Sequence, residues 1–190
     1  MVTIVKDKEL IFETENYDVI LVGTSTYNML TGGFQSKMRF KYPYIQSGND
    51  KTNYGDCRKL GKRLTFYNEK PTISLMYICG YPTSRIVNID YEALKNCLLS
   101  ANAEFKGKKV ASTIIGSSIF DGNGDKEKCL EIIKECTSDL DITLYDYVQK
   151  KRKDEMNKYF LYIRSFRKDK EKYKKLLETR EDYLKSQFLN

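Results

Sequence analysis

Residues 17–23, Tyr17-Asp18-Val19-Ile20-Leu21-Val22-Gly23, form a continuous apolar run that stops at glycine. A strand with one wet face alternates apolar and polar residues; an unbroken run signals a strand buried on both faces, as in a parallel sheet. Such a strand needs helices above and below it. Working outward, runs of the same kind recur at residues 72–79 (TISLMYIC) and 109–115 (KVASTII), and a last strand is predicted at 141–147 (DITLYDY). Between them, residues 34–41 suit a short helix that stops at Tyr42-Pro43. Asp90 is placed to N-cap a helix reaching about Phe105, with Leu94, Cys97, Leu98 and Ala101 at helical spacing. Residues 125–136 carry Cys129, Ile132, Ile133 and Cys136 on one helical face. Residues 46–61 are polar and glycine-bearing and read as loop, followed by an edge strand at 63–67 and a turn at Glu69-Lys70-Pro71. Strand, helix, strand, helix, strand is an α/β pattern.

The chain of 190 residues has room for one domain plus an appendage. Its net charge of +7 is unevenly placed. Residues 1–149 hold 19 Lys+Arg against 19 Asp+Glu, and residues 150–190 hold 14 against 7, so the whole excess is in the tail. That tail has a helical apolar stripe (Met156, Tyr159, Phe160, Ile163, then Tyr173, Leu176, Leu177, Leu184, Phe188) that lapses near residues 167–170. The division expected is therefore a domain at 1–149 and a basic amphipathic helical tail at 150–190. The stripe is expected to dock on protein rather than membrane, while the basic charge makes nucleic acid a second candidate partner.

No apolar run approaches the roughly 20 residues of a membrane span, and residues 1–10 lack a signal-peptide layout, so a cytoplasmic protein is expected. Five cysteines without a CxxC pair, in a chain with no histidine, predict structural thiols and neither a zinc site nor any other metal or cofactor. The missing histidine excludes every mechanism that uses imidazole as base.

In open α/β sheets ligands bind beyond the carboxyl ends of strands, and the two loops richest in glycine both follow core strands. The first runs from Gly23-Thr24-Ser25 to Gly32-Gly33-Phe34. The second is Gly116-Ser117-Ser118-Ile119-Phe120-Asp121-Gly122-Asn123-Gly124. Backbone N–H groups of such loops, with helix N-termini behind them, suit a diphosphate.

Across about residues 9–147 these features resemble a macro domain. The likeness is to the divergent branch that includes ADP-ribose-1''-phosphate phosphatases and terminal ADP-ribose protein glycohydrolases. It rests on residues 17–25, on residues 31–43 (TGGFQSKMRFKYP), on residues 88–94 (NIDYEAL), and on Ile115-Gly116 followed by residues 124–133 (GDKEKCLEII). The resemblance implies a three-layer α/β/α sandwich around a mixed, mostly parallel sheet, plus the helical extension. It also implies binding of ADP-ribose or a derivative, free or on a macromolecule, with hydrolysis by phosphatase or ADP-ribosyl hydrolase chemistry.

The implied ligand-binding residues are Glu9 at the adenine, Gly23, Thr24 and Ser25 at the distal ribose, Gly32, Gly33 and Phe34 in the first loop, and Gly116, Ser117, Ser118, Ile119, Phe120, Gly122, Asn123 and Gly124 in the second. Tyr145, with Tyr147 beside it, is expected near the adenine. Asp121 is the implied general base, and Arg39 holds the position of a basic catalytic residue on the first-loop helix. A guanidinium stays protonated and cannot form a Schiff base, which leaves Lys37 or Lys41 as substitutes under a register shift, or a non-catalytic binder.

Overall fold

The computed structural model describes residues 1–6, 8–67, 70–82 and 86–146. Tyr147, Glu69 and the whole predicted tail at 150–190 lie outside the described residues. Strands β1 (Val2–Lys6), β2 (Val19–Ser25), β3 (Arg63–Phe66), β4 (Thr72–Cys79), β5 (Lys109–Thr113) and β6 (Asp141–Asp146) build one sheet in the order β1-β6-β5-β2-β4-β3. Only β3 is antiparallel to its neighbour; every other pairing is parallel. The mixed, mostly parallel sheet matches the expectation, and β3 is the edge strand predicted at 63–67.

Central β2 is buried at all seven positions, as its unbroken apolar run requires. Its alternate side chains feed two cores. Val19 and Leu21 join Met76, Ile78, Ile142 and Leu144 under helices α3 (Tyr91–Glu104) and α4 (Lys126–Cys136). Ile20 and Val22 join Ile73, Leu75 and Ala111 under α1 (Gly33–Lys41) and α2 (Tyr44–Asn49), where Met38 and Ile45 are fully buried. The result is the three-layer α/β/α sandwich. Each buried Leu or Ile contributes about 2 kcal/mol relative to exposure, so the two-sided burial of β2 dominates its placement. Asp90 accepts the Ala93 N–H at 2.9 Å and caps α3, and Asp125 accepts from Lys128 N at 2.8 Å and caps α4. Each cap contributes about 1 kcal/mol.

Two expectations need correction. Residues 46–61 are not all loop: α2 occupies Tyr44–Asn49, and a short 3-10 turn spans Cys57–Lys59. Gly48 hid this helix, because glycine reads as a breaker, yet the position has no room for a side chain beside the Phe66 ring. Strand β1 was not anticipated either. It is short and mostly exposed, so it lacks the apolar run that marked the others, and it holds its place by parallel pairing with β6.

No helix among the described residues is long and apolar enough to cross a membrane. All five thiols are free, four buried and Cys57 exposed. Burial pushes Cys79, Cys97 and Cys129 up to about 12.

Candidate functional site

Both glycine loops stand at the carboxyl ends of neighbouring parallel strands, β2 and β5, as the strand order requires. The first ends in α1, whose N-cap is Gly32 and whose first turn has no side-chain cap. Its first bond runs from Ser36 N to Gly32 O at 3.3 Å, so the amides of Gly33, Phe34 and Gln35 precede any intrahelical acceptor. Three donors and the positive end of the helix dipole thus lie together at the start of α1.

The second loop is built differently. Asp121 is 5% exposed, and its carboxylate turns inward, accepting from Gly116 N at 3.0 Å and Ser118 N at 2.8 Å. Asp121 N donates to Ser118 O, Asn123 N to Ser118 O, Gly124 N to Gly116 O, and Phe120 N to Ser118 Oγ. Most of the loop's donors are consumed by the loop itself. Only the amides of Ile119 and Gly122 in residues 116–124 are left without an acceptor among the described residues. The cap that Asp125 places on α4 also takes up one of the first-turn donors of that helix, the Lys128 amide. The two loops expected to grip a diphosphate thus differ: the first leaves the amides at the start of α1 without an intrahelical acceptor, while the second spends most of its donors on itself. Burial outweighs the two amide donors and pushes Asp121 up to about 7.

The loops are locked together. The Phe120 ring lies against Gly32 so closely that any Cβ there would overlap it, and a Cβ at Gly33 would stand 3.1 Å from it. Buried Gln35 donates through Nε2 to Gly23 O at 2.6 Å and to Phe120 O at 3.0 Å, bridging the two loops. Gly23 admits no side chain, since a Cβ would sit 2.8 Å from Ile115 and 3.0 Å from Asp121 Oδ2. Positive φ angles of 89° at Gly116 and 132° at Gly122 let the second loop turn back on itself, and Ile89 packs on both positions.

Other nominated residues fall into three groups. Thr24 and Ser25 are buried at the end of β2, and Ser25 Oγ has no hydrogen-bond partner among the described residues. Ser117 Oγ bonds Ile114 O at 2.7 Å, Ile119 is 41% exposed, and Asn123 Nδ2 reaches Ile86 O at 3.3 Å.

Glu9 pairs with Lys37 of α1, and Lys41 bonds Thr14 Oγ1 at 3.0 Å and Glu15 at 3.1 Å. These two lysines therefore clamp residues 9–15 onto α1. Arg39 lies in the last turn of α1, its guanidinium 5.2 Å from the Phe40 ring centre. It stands six positions along the helix from Gly33, about 9 Å along the axis.

Tyr145 is buried in the core under α1, its hydroxyl 2.8 Å from that of Tyr17. Burial, followed by that bond, pushes it far above the usual tyrosine range. Gln35 was missed in the sequence, because a glutamine in a short helix carries no signal of its own; only the crossing of the two loops makes it a bridge.

A three-layer α/β/α sandwich with glycine loops at the ends of β2 and β5 defines a class, the open α/β sheets, in which ligands bind beyond the carboxyl ends of the strands. Solved structures narrow it. The chain is similar to the macrodomain of Mycobacterium tuberculosis DarG, with 14% identity, TM-score 0.63, and coverage of 77% of this chain and 97% of that one. It is similar to Thermosipho africanus DarTG, solved with ADP-ribose, at 13% identity and TM-score 0.58 over 76% of this chain and 41% of that one. A Bacteroides thetaiotaomicron protein of unknown function matches at 19% identity and TM-score 0.62, over 76% and 98% of the two chains. No family model and no curated protein matches the sequence. The chain has the macrodomain fold.

Proposed function

We propose that the chain binds ADP-ribose or an ADP-ribose derivative in the rim between the two glycine loops. The observation that carries this reading is the uncapped N-terminus of α1, where the amides of Gly33, Phe34 and Gln35 lie beside the second loop, whose Phe120 ring packs on Gly32. A pyrophosphate is an anion of the size and charge that such donors accept. Similarity to folds solved with ADP-ribose, in Thermosipho africanus DarTG and a Trypanosoma brucei macrodomain, supports the same ligand. Asp121 then acts through the loop: its carboxylate holds the Gly116 and Ser118 amides and so fixes the course of the second loop.

A second reading, hydrolysis of an ADP-ribose derivative, is favoured by one observation. A carboxyl held at about 7 sits in the range where an acid can exchange protons at neutral pH. In that reading Asp121 would serve the distal ribose or a terminal phosphate, with Arg39 as the charged partner the resemblance nominates.

Calorimetric titration with ADP-ribose, AMP and ADP-ribose-1''-phosphate, followed by product analysis, tests both. Micromolar binding of ADP-ribose without product supports the binder, and phosphate release supports the phosphatase. No binding of any of the three removes the proposal. For hydrolysis, Arg39→Ala and Asp121→Asn must lose turnover while keeping affinity; lost affinity alone means recognition.

A further inference from the structure

The sheet ends at β3, which pairs with β4 alone. Which of its backbone groups are spent follows from the bonds around it. Thr72 N donates to Asp18 O on one side of β4 at 2.9 Å, and Tyr77 N donates to Lys62 O on the other side at 3.1 Å. Backbone groups alternate along a strand, so Ile73 and Leu75 also turn towards β3, and their register partners Phe66 and Leu64 turn back to them. The N–H and C=O groups of Arg63 and Thr65, and one step on those of Tyr67, therefore point away from the sheet. Proteins blunt such an edge with a proline or a bulge. Residues 61–67 contain no proline, and the pairing with β4 runs unbroken from Arg63 to Phe66.

The two faces of this edge differ. On the α3 side, Arg63 donates to Ser100 Oγ at 2.9 Å and to the Glu104 carboxylate, which also accepts the Tyr67 hydroxyl. Thr65 Oγ1 lies 3.0 Å from Ser74 Oγ. Arg63, Thr65, Tyr67, Ser100 and Glu104 line a groove of about 400 Å³, and Tyr67 is 63% exposed. On the other side Leu64 and Phe66 pack against the core under α1 and α2 and are only partly buried. One register makes the strand match itself. Antiparallel pairing about a two-fold axis at Thr65 sets that residue opposite the partner's Thr65, and Arg63 opposite the partner's Tyr67. On the apolar side the same register sets Leu64 opposite the partner's Phe66. The two guanidinium-bearing positions then stand about 14 Å apart along the strands, more than a Debye length at physiological salt. Each has a tyrosine ring across from it, which attracts a cation.

We infer that β3 is a self-association edge: two copies of this chain join antiparallel over Arg63 to Tyr67 and continue the six-stranded sheet across a two-fold axis. Any extended peptide could use the outward backbone groups, but the match of both faces to themselves selects a second copy. Three outward residues on each strand supply about six main-chain hydrogen bonds. The contact is small, so the dimer is weak, with a dissociation constant on the order of 100 µM. The glycine loops follow β2 and β5, and β4 stands between them and β3. The inference therefore holds without the ADP-ribose reading.

Sedimentation velocity of the full chain between about 5 and about 500 µM tests the edge. The wild type is expected to shift from monomer to dimer across that range. Thr65→Pro removes an outward amide, a change that edge strands tolerate, and should stay monomeric with its thermal midpoint little changed. Thr65→Ser keeps the amide and the hydroxyl and should dimerise like the wild type. Thr65→Lys sets two ammonium groups opposite each other on the axis. It should weaken association by about tenfold or more at low salt and regain part of it at about 0.5 M salt, a response that damage to the fold would not give. A monomer at every concentration overturns the inference, and so does loss of the dimer in Thr65→Ser. A dimer that survives Thr65→Pro or Thr65→Lys also overturns it, by assigning association to another part of the chain.

Discussion

The two glycine loops read alike in the sequence and differ in what their backbones offer. The first ends in a helix with no side-chain cap and presents the amides of Gly33, Phe34 and Gln35. In the second, a buried carboxylate and a set of turns take up most of the donors, and Asp125 caps the helix that follows. Glycine lets a backbone approach a ligand, but an acidic side chain inside the loop decides whether the N–H groups point at that ligand or at the loop. The second loop is therefore braced largely by its own bonds, and the first keeps its helix-start donors without an intrahelical acceptor.

The comparison breaks most visibly at Asp121. Asp121→Ala leaves the buried Gly116 amide and the part-buried Ser118 amide without their acceptor, at about 1–3 kcal/mol for a buried unmet donor and less for the other. A loss of roughly 3 kcal/mol in urea unfolding is expected, together with loss of ADP-ribose binding. A fully stable variant would mean that the second loop does not depend on its carboxylate.

Gly32→Val tests the seam between the loops, because its side chain would overlap the Phe120 ring. Affinity for ADP-ribose should drop about tenfold, or about 1.4 kcal/mol, with a smaller change in stability. Equal affinity in calorimetry would place the ligand elsewhere.

A gentler probe is pH. Asp121 is pushed up to about 7 by burial from an ordinary value of 3.8. Between those values the folded chain keeps a proton that the unfolded chain releases. Its contribution to stability is therefore fully present below pH 4 and declines as pH rises to about 7. Urea midpoints of the wild type should fall more between about pH 5 and pH 8 than those of Asp121→Asn. Parallel profiles would mean that the carboxyl is ionised at both values.

The smallest effect is expected at Glu9, whose pair with Lys37 is partly exposed. Glu9→Ala should cost under about 1 kcal/mol in unfolding. A much larger fall in affinity for ADP-ribose and AMP alike would give the residue the adenine role that the resemblance implies.

Much of the sheet could be read directly. The runs at residues 17–23, 72–79 and 109–115 have no polar alternation, and that is sufficient to call for two helical layers. The caps Asp90 and Asp125 were legible or nearly so, since a cap is a local bond between residues three apart. Helix α2 was not legible, because the reason for Gly48 is the Phe66 ring 18 positions away. Tyr145 reads as a rim aromatic at the end of a strand, and only the packing of Tyr17 against it puts it in the core.

By itself the sequence determined the α/β class, the need of the buried strands for covering helices, and the two glycine loops that follow core strands. These follow from local periodicity and composition, which every residue carries with it. Tertiary structure alone decided which loop has donors to give, that Gln35 joins them, and that Arg63 and Tyr67 meet on Glu104. Each of these depends on where distant segments come together and on which hydrogen bonds are already used, and neither is encoded at any single position.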